Sequence, residues 1–153
     1  MLFYKDISIY YDKIFPLNSA AVEFLEKEFD GKNKILDLSW GDGKYSDSIL
    51  SPDRSVTGLD LDKGMLEEAE KKYDKKNNIK FVYGDMLELS SIFKKDKFDG
   101  VFCIGNSLVH LTSTDKIKKA LQELSLVMEY GGRLVIQIIN YDRILNDNVN
   151  FLP

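Results

Sequence analysis

Three carboxylates stand within or just at the end of apolar runs, and their spacing says what they could hold. Asp37 lies inside ILDLS, Asp60 closes SVTGLD, and Asp85 follows IKFVYG. Between the first two comes the turn Ser39-Trp40-Gly41-Asp42-Gly43, whose glycines leave a ligand room against the backbone. Asp60 stands seventeen residues after Gly43, where an acid can accept hydrogen bonds from both hydroxyls of a ribose. Asp85 is placed to accept from an adenine amino group beside the apolar Met86, or to cap the helical segment that follows.

Asp37 discriminates between ligands. A carboxylate in a buried strand is costly unless it has a partner. In the dinucleotide fingerprint G-x-G-x-x-G the third position would be Ser46, and Asp37 with Asp42 would set negative charge beside the pyrophosphate. S-adenosylmethionine instead carries an ammonium and a sulfonium, which nearby acids favour. Asp37 then has a partner, directly or through water, in the cationic end of the ligand. An NAD-dependent oxidoreductase stands as the first alternative. The second is a non-catalytic nucleoside-binding or scaffold domain whose pocket Trp40 closes.

These residues need elements to carry them, and the chain alternates two periods. Val22, Leu25 and Phe29 mark a first helix ending at Asp30-Gly31, followed by a strand over Lys34 to Ser39. A short helix runs from Lys44 to before Pro52, and a second strand covers Ser55 to Asp60. Asp62 can cap a helix with Met65 or Leu66, Ala69 and Tyr73 inward. A third strand spans Ile79 to Val82, an irregular or short helical piece Leu87 to Phe93, and a fourth strand Phe98 to Ile104. Ile117, Leu121, Leu124 and Met128 recur at helical spacing until Gly131-Gly132, and Arg133 to Ile139 makes a fifth strand. Strands separated by helices, without hairpin dipeptides, predict right-handed crossovers and a parallel sheet with helices on both faces. Ligands of such sheets sit beyond the carboxyl ends of the strands, where Asp60 and Asp85 fall, while Asp37 lies within the first strand.

Composition narrows the alternatives. With 153 residues, 44% apolar and 30% charged, the chain suits a single domain, residues 1–153, with a real core. A formal charge of −4 argues against nucleic acid as partner, and the lysine pairs are interleaved with acids. The one cysteine, Cys103, excludes an internal disulfide and a multi-cysteine zinc site; no metal site is expected. No apolar run approaches the ~20 residues that span a bilayer, and the charged N-terminus does not read as a signal peptide. A cytoplasmic protein without a membrane partner is the expectation.

The runs DLSWGDG, GLDLDKGML, YGDM, CIGNSLVHL and YGGRLVIQIINYDRIL, in that order, resemble a class I S-adenosylmethionine-dependent methyltransferase from Ile35 to Leu145. GNSLVHL and NYDRIL are similar to the glycine/sarcosine N-methyltransferase-like subgroup. The resemblance implies a Rossmann-like α/β fold with strand order 3-2-1-4-5, and S-adenosylmethionine as cofactor with S-adenosylhomocysteine as its product. It implies Asp37, Ser39 and Gly41 at the methionine part, Asp60 on the ribose, Leu61 and Met65 beside the adenine, and Asp85 with Met86 at its amino edge. It further implies that Ile104, Gly105 and Asn106 pass beneath the sulfonium, and the Tyr10-Tyr11 pair resembles the tyrosines, Tyr11 among them here, that close over the cofactor in such enzymes. Asn140 matches a position near the acceptor, a small molecule such as an amine or amino acid. His110, the one imidazole, is the available base if the acceptor is a hydroxyl.

Two residues depart from the family, which usually has a small residue or Cys at Trp40 and a small residue or Gly at Ser39. An indole of that size must displace neighbours or fill a gap left elsewhere. The resembled sheet has seven strands, so the chain is expected to be an amino-terminal part, with its last two strands missing. The apolar fifth strand would then be an edge open to self-association.

Overall fold

The computed structural model describes residues 15–147. Helix α1 (Ser19–Glu28) leads to β1 (Lys34–Asp37), a one-turn α2 (Lys44–Ser48), β2 (Ser55–Asp60) and α3 (Lys63–Tyr73). Then come β3 (Ile79–Tyr83), a 3-10 turn (Met86–Glu88), α4 (Leu89–Phe93), β4 (Phe98–Cys103) and a second 3-10 turn (Ser107–His110). The last elements are α5 (Thr114–Val127), β5 (Met128–Ile136) and α6 (Tyr141–Asn146). Every strand pairing is parallel, and the order is β3-β2-β1-β4-β5. The order reverses between β1 and β4, which opens the crevice where such sheets receive ligands.

Alternation along β1 sends Leu36 to one core and Ile35 to the other. Leu36, Leu59, Leu89, Phe93, Phe98, Val101 and Leu124 pack beneath α4 and α5. Leu25, Phe29, Ile35, Val56, Tyr73 and Phe102 pack beneath α1, α2 and α3. Helices therefore cover both faces, and strands buried on both sides read as continuous apolar runs.

Arg54 ties the second layer together. It is buried, and its guanidinium donates to the carbonyls of Phe29 (2.8 Å), Ile49 (2.7 Å) and Lys32 (3.1 Å) and to Glu26 (2.9 Å). It thereby satisfies acceptors at the carboxyl ends of both α1 and α2, where helices leave carbonyls without partners.

The largest differences from the sequence-based expectation lie around α5 and β5. The helix buries Ala120, Leu124 and Val127, while Leu121 is 42% exposed. The run offers two apolar stripes sharing Leu124, and the one carrying the small Ala120 packs. Glu123 is buried with it, accepting from Ser90 N (2.7 Å) and Lys119 Nζ (2.5 Å). The helix stops at Val127 rather than Gly131, because Met128 already pairs with Phe98. The next pair is Gly100 with Arg133, so β5 carries surplus residues that bulge outward. Gly131, at φ 76°, makes that bulge with a conformation other residues resist. β5 ends at Ile136 because the amide of Ile139 turns to the Asn106 side chain (3.1 Å). β1 likewise ends at Asp37 rather than Ser39, where the chain enters the glycine turn.

Candidate active site at the carboxyl ends of the strands

Asp37 is 2% exposed, and the chain supplies its partners. Ser46, in the single turn of α2, donates its hydroxyl to Asp37 Oδ2 at 2.7 Å, and the amide of Ser39 donates to Oδ1 at 3.2 Å. Burial pushes the carboxyl up to about 7, against the pull of Ser46 and Ser39, with Asp60 and Asp42 pushing upward too. Ser46 was legible only as a failed dinucleotide position. A hydroxyl on a helix immediately after a strand-borne acid was the signal that it serves the acid.

Asp60 closes β2 with both oxygens held. Gly41 N donates to Oδ2 (3.1 Å) and Asp62 N to Oδ1 (2.9 Å). Burial raises its pKa against these amides. Asp62 caps α3 through Gly64 N and Met65 N. Leu61 beside it is 58% exposed, whereas Met65 and Met86 are buried. Asp85 caps the 3-10 turn through Leu87 N (2.9 Å), which is the structural role the sequence allowed; its second oxygen accepts nothing among the described residues.

Beyond β4 the chain takes two successive left-handed residues, Gly105 (φ 77°) and Asn106 (φ 69°). The loop is tied to the segment after β5. Gly105 N donates to Gln137 Oε1 (2.9 Å), and Asn106 accepts from Ile139 N while donating to Tyr141 Oη (2.6 Å). Gln137 falls within the run read as the fifth strand and Tyr141 within the motif NYDRIL just past it, and neither had a role legible in the sequence; a polar side chain at the end of an apolar strand was the available sign. Ser39 Oγ donates to Ile104 O (3.3 Å) and so joins the β1 turn to this loop. Cys103, whose thiol burial pushes up to about 11, stays protonated. Asn140 spends its side-chain oxygen capping α6 through Arg143 N (3.0 Å), and His110 is exposed at the end of the second 3-10 turn. Tyr10 and Tyr11 lie outside the described residues.

Trp40 is not on the ligand side of the turn. It is 3% exposed and lies beneath, so the family departure is absorbed by a gap made for it. Gly43 and Gly58 form that gap: a Cβ on either would fall within about 2 Å of the indole, at 2.1 and 2.0 Å. Gly43 is therefore explained by the indole rather than by a ligand.

Together these residues gather oriented carboxylates at the ends of β1 and β2 beside the exposed apolar side chain of Leu61. Such a donor set receives hydroxyls and positive charge and repels phosphate. Among the described residues no group of His, Cys, Asp and Glu is arranged to hold a metal ion, and no helix is long and apolar enough to cross a membrane.

Sheet order defines a doubly wound α/β domain whose switch point lies between β1 and β4. Comparison with known proteins makes the class specific. Residues 35–132 match the family described as methyltransferase domain. Glycine/sarcosine N-methyltransferase of Aphanothece halophytica is 30% identical over 133 residues, covering 85% of this chain and 50% of the relative. Among solved structures, an S-adenosylmethionine-dependent methyltransferase from Clostridium acetobutylicum superposes with a TM-score of 0.78 at 21% identity, covering 92% of this chain and 59% of its own. CalS10, an amino pentose methyltransferase from Micromonospora echinaspora solved with S-adenosylmethionine bound, gives 0.66 at 21% identity over 79% of this chain and 49% of its own. The chain belongs to the class I S-adenosylmethionine-dependent methyltransferases. It spans half or less of the length of the curated relatives it matches.

Proposed function

We propose that this chain binds S-adenosylmethionine at the carboxyl ends of β1, β2 and β3, in a protein that methylates a small amine or amino acid. The observation that carries the reading is Asp60, whose carboxylate is fixed by two backbone amides at the end of β2 and keeps lone pairs for the ribose hydroxyls. The chemistry of the donor set fits the cofactor. Asp37, with Ser39 and Gly41, gives its cationic end a counter-charge; Leu61, Met65 and Met86 suit the adenine, and the second oxygen of Asp85 its amino group. In this reading Ile104, Gly105 and Asn106 would line the methionine end of the cofactor.

When bound, the cofactor supplies a methyl group on a sulfonium that is already a good leaving group, so the chain has to position reactants and exclude water. His110 and Asn140 are the residues that would face the acceptor in this reading. An amine must arrive unprotonated, and His110 offers a base for the proton it sheds. The acceptor class rests on the names of the glycine-type relatives. A cytoplasmic setting accords with a single buried cysteine.

Calorimetry with S-adenosylhomocysteine and NAD tests the reading: the former should bind and the latter should not. A hydrogen bond to a charged group contributes roughly 1.5 to 3 kcal/mol, so Asp60→Ala should weaken S-adenosylhomocysteine binding by about tenfold or more. Unchanged affinity would move the ligand elsewhere. Methyl transfer to glycine and sarcosine, followed with labelled cofactor, tests the acceptor class.

A further inference from the structure

The buried indole of Trp40 is connected to the ribose acid by a short chain of contacts. Its slot is cut by glycines of two elements, Gly43 in the turn and Gly58 in the middle of β2. Two rings close the slot edge-on: Phe81 of β3 at 5.0 Å between centroids and 87°, and Tyr73 of α3 at 5.7 Å and 89°. Backbone bonds then fasten the turn around Asp60. Trp40 N donates to Leu59 O (3.2 Å), the next amide, Gly41 N, donates to Asp60 Oδ2 (3.1 Å), and Gly43 N closes on Trp40 O (2.9 Å). Tyr73 Oη donates to Asp42 O at 3.1 Å, so the ring that packs on the indole also holds the turn above it.

Trp40 Nε1 is buried without a hydrogen-bond partner among the described residues, a state that costs stability. The residue therefore contributes its shape and not its N–H. An indole filling the space between turn and strand sets their separation, because close-packed interiors transmit displacement instead of absorbing it.

We propose that Trp40 is a positioning residue whose indole sets the height of the Gly41 turn over β2 and thereby the orientation of Asp60 toward the ribose hydroxyls. This rests on the cofactor reading above. Trp40 touches no ligand in this arrangement, yet it governs nucleoside affinity through Asp60.

The test is a double-mutant cycle on S-adenosylhomocysteine affinity with the full chain. Trp40→Phe keeps a ring but shortens the spacer; Asp60→Asn keeps the shape and weakens the acceptor. Each should lower affinity about five- to tenfold, and the double variant no more than about twentyfold, because residues acting through one another do not add. A double-variant loss equal to the product of the two single losses, or a folded Trp40→Phe protein with wild-type affinity and only a lower Tm, overturns the inference while leaving the cofactor reading intact. Absence of binding by the wild type overturns both. If Trp40→Phe does not fold, Tyr73→Phe removes only the hydroxyl that holds Asp42, and the same cycle with Asp60→Asn should show a two- to threefold loss that is likewise not additive, on the order expected for one neutral hydrogen bond; full additivity overturns the inference.

Discussion

At the scale of single residues the site turns on Asp37, whose proton depends on what it faces. Its folded pKa of about 7 lies above the ordinary 3.8, so the folded chain holds an extra proton between those values. The stability this group contributes is complete below the lower value and is lost as pH rises through the upper one. A cation at Asp37 favours the anion, so S-adenosylhomocysteine binding should release a proton near pH 6 and tighten as pH rises toward 8. Calorimetry at pH 6 in two buffers of different ionisation enthalpy measures that proton; no release would separate the cationic end from Asp37. Ser46 stabilises the anion, and Ser46→Ala should raise the Asp37 pKa further and weaken binding at pH 7 by about tenfold. The loss should shrink at pH 9, where the carboxylate is ionised in either protein.

Elements are held by contacts of a different kind, and Arg54 shows how. Removing a buried charge's partners, or the charge from its partners, costs about 3 to 5 kcal/mol. Arg54→Met should reach that range in urea denaturation, since it strands three carbonyls and Glu26; a change below about 1 kcal/mol would mean that water replaces the guanidinium without penalty. Nothing in the sequence announced this residue, because backbone carbonyls leave no mark in side-chain pattern. The strands were legible for the opposite reason: Ile35 to Leu38 and Phe98 to Cys103 are covered on both faces, and continuous apolar runs record that directly. The parallel sheet followed from the crossovers and the strand order from the family resemblance, and the acids at the ends of β1, β2 and β3 were found by type and place. What escaped was decided by competition in three dimensions. Leu121 lost its place to Ala120, Gly131 shapes a bulge instead of stopping a helix, and Asp37 meets Ser46 before it meets any ligand.

For the molecule as a whole, β5 is the edge of the sheet among the described residues, and Ile136, Ile138 and Tyr141 near its end are exposed. Edges of this kind recruit other strands. We expect the chain to self-associate there: light scattering over a concentration series should show species heavier than the monomer, and Ile136→Lys should reduce them. A single monomeric species at high concentration would dispose of the idea. The opposite end of the same strand behaves differently. The surplus residues between Met128 and Arg133 loop out at the amino ends of the strands, a pole away from Asp37 and Asp60. Tyr130 there is fully exposed, and a Cβ on Gly131 would meet nothing. Chain length can change at such a point without shifting the ladder on either side, because lengthening a surface loop adds little closure entropy. A short Gly/Ser insert between Tyr130 and Gly131 should leave nucleoside affinity untouched. The bulge thus offers a port for a fluorophore or an added peptide, and a place where descendants of this sequence could acquire new parts before the chemistry noticed.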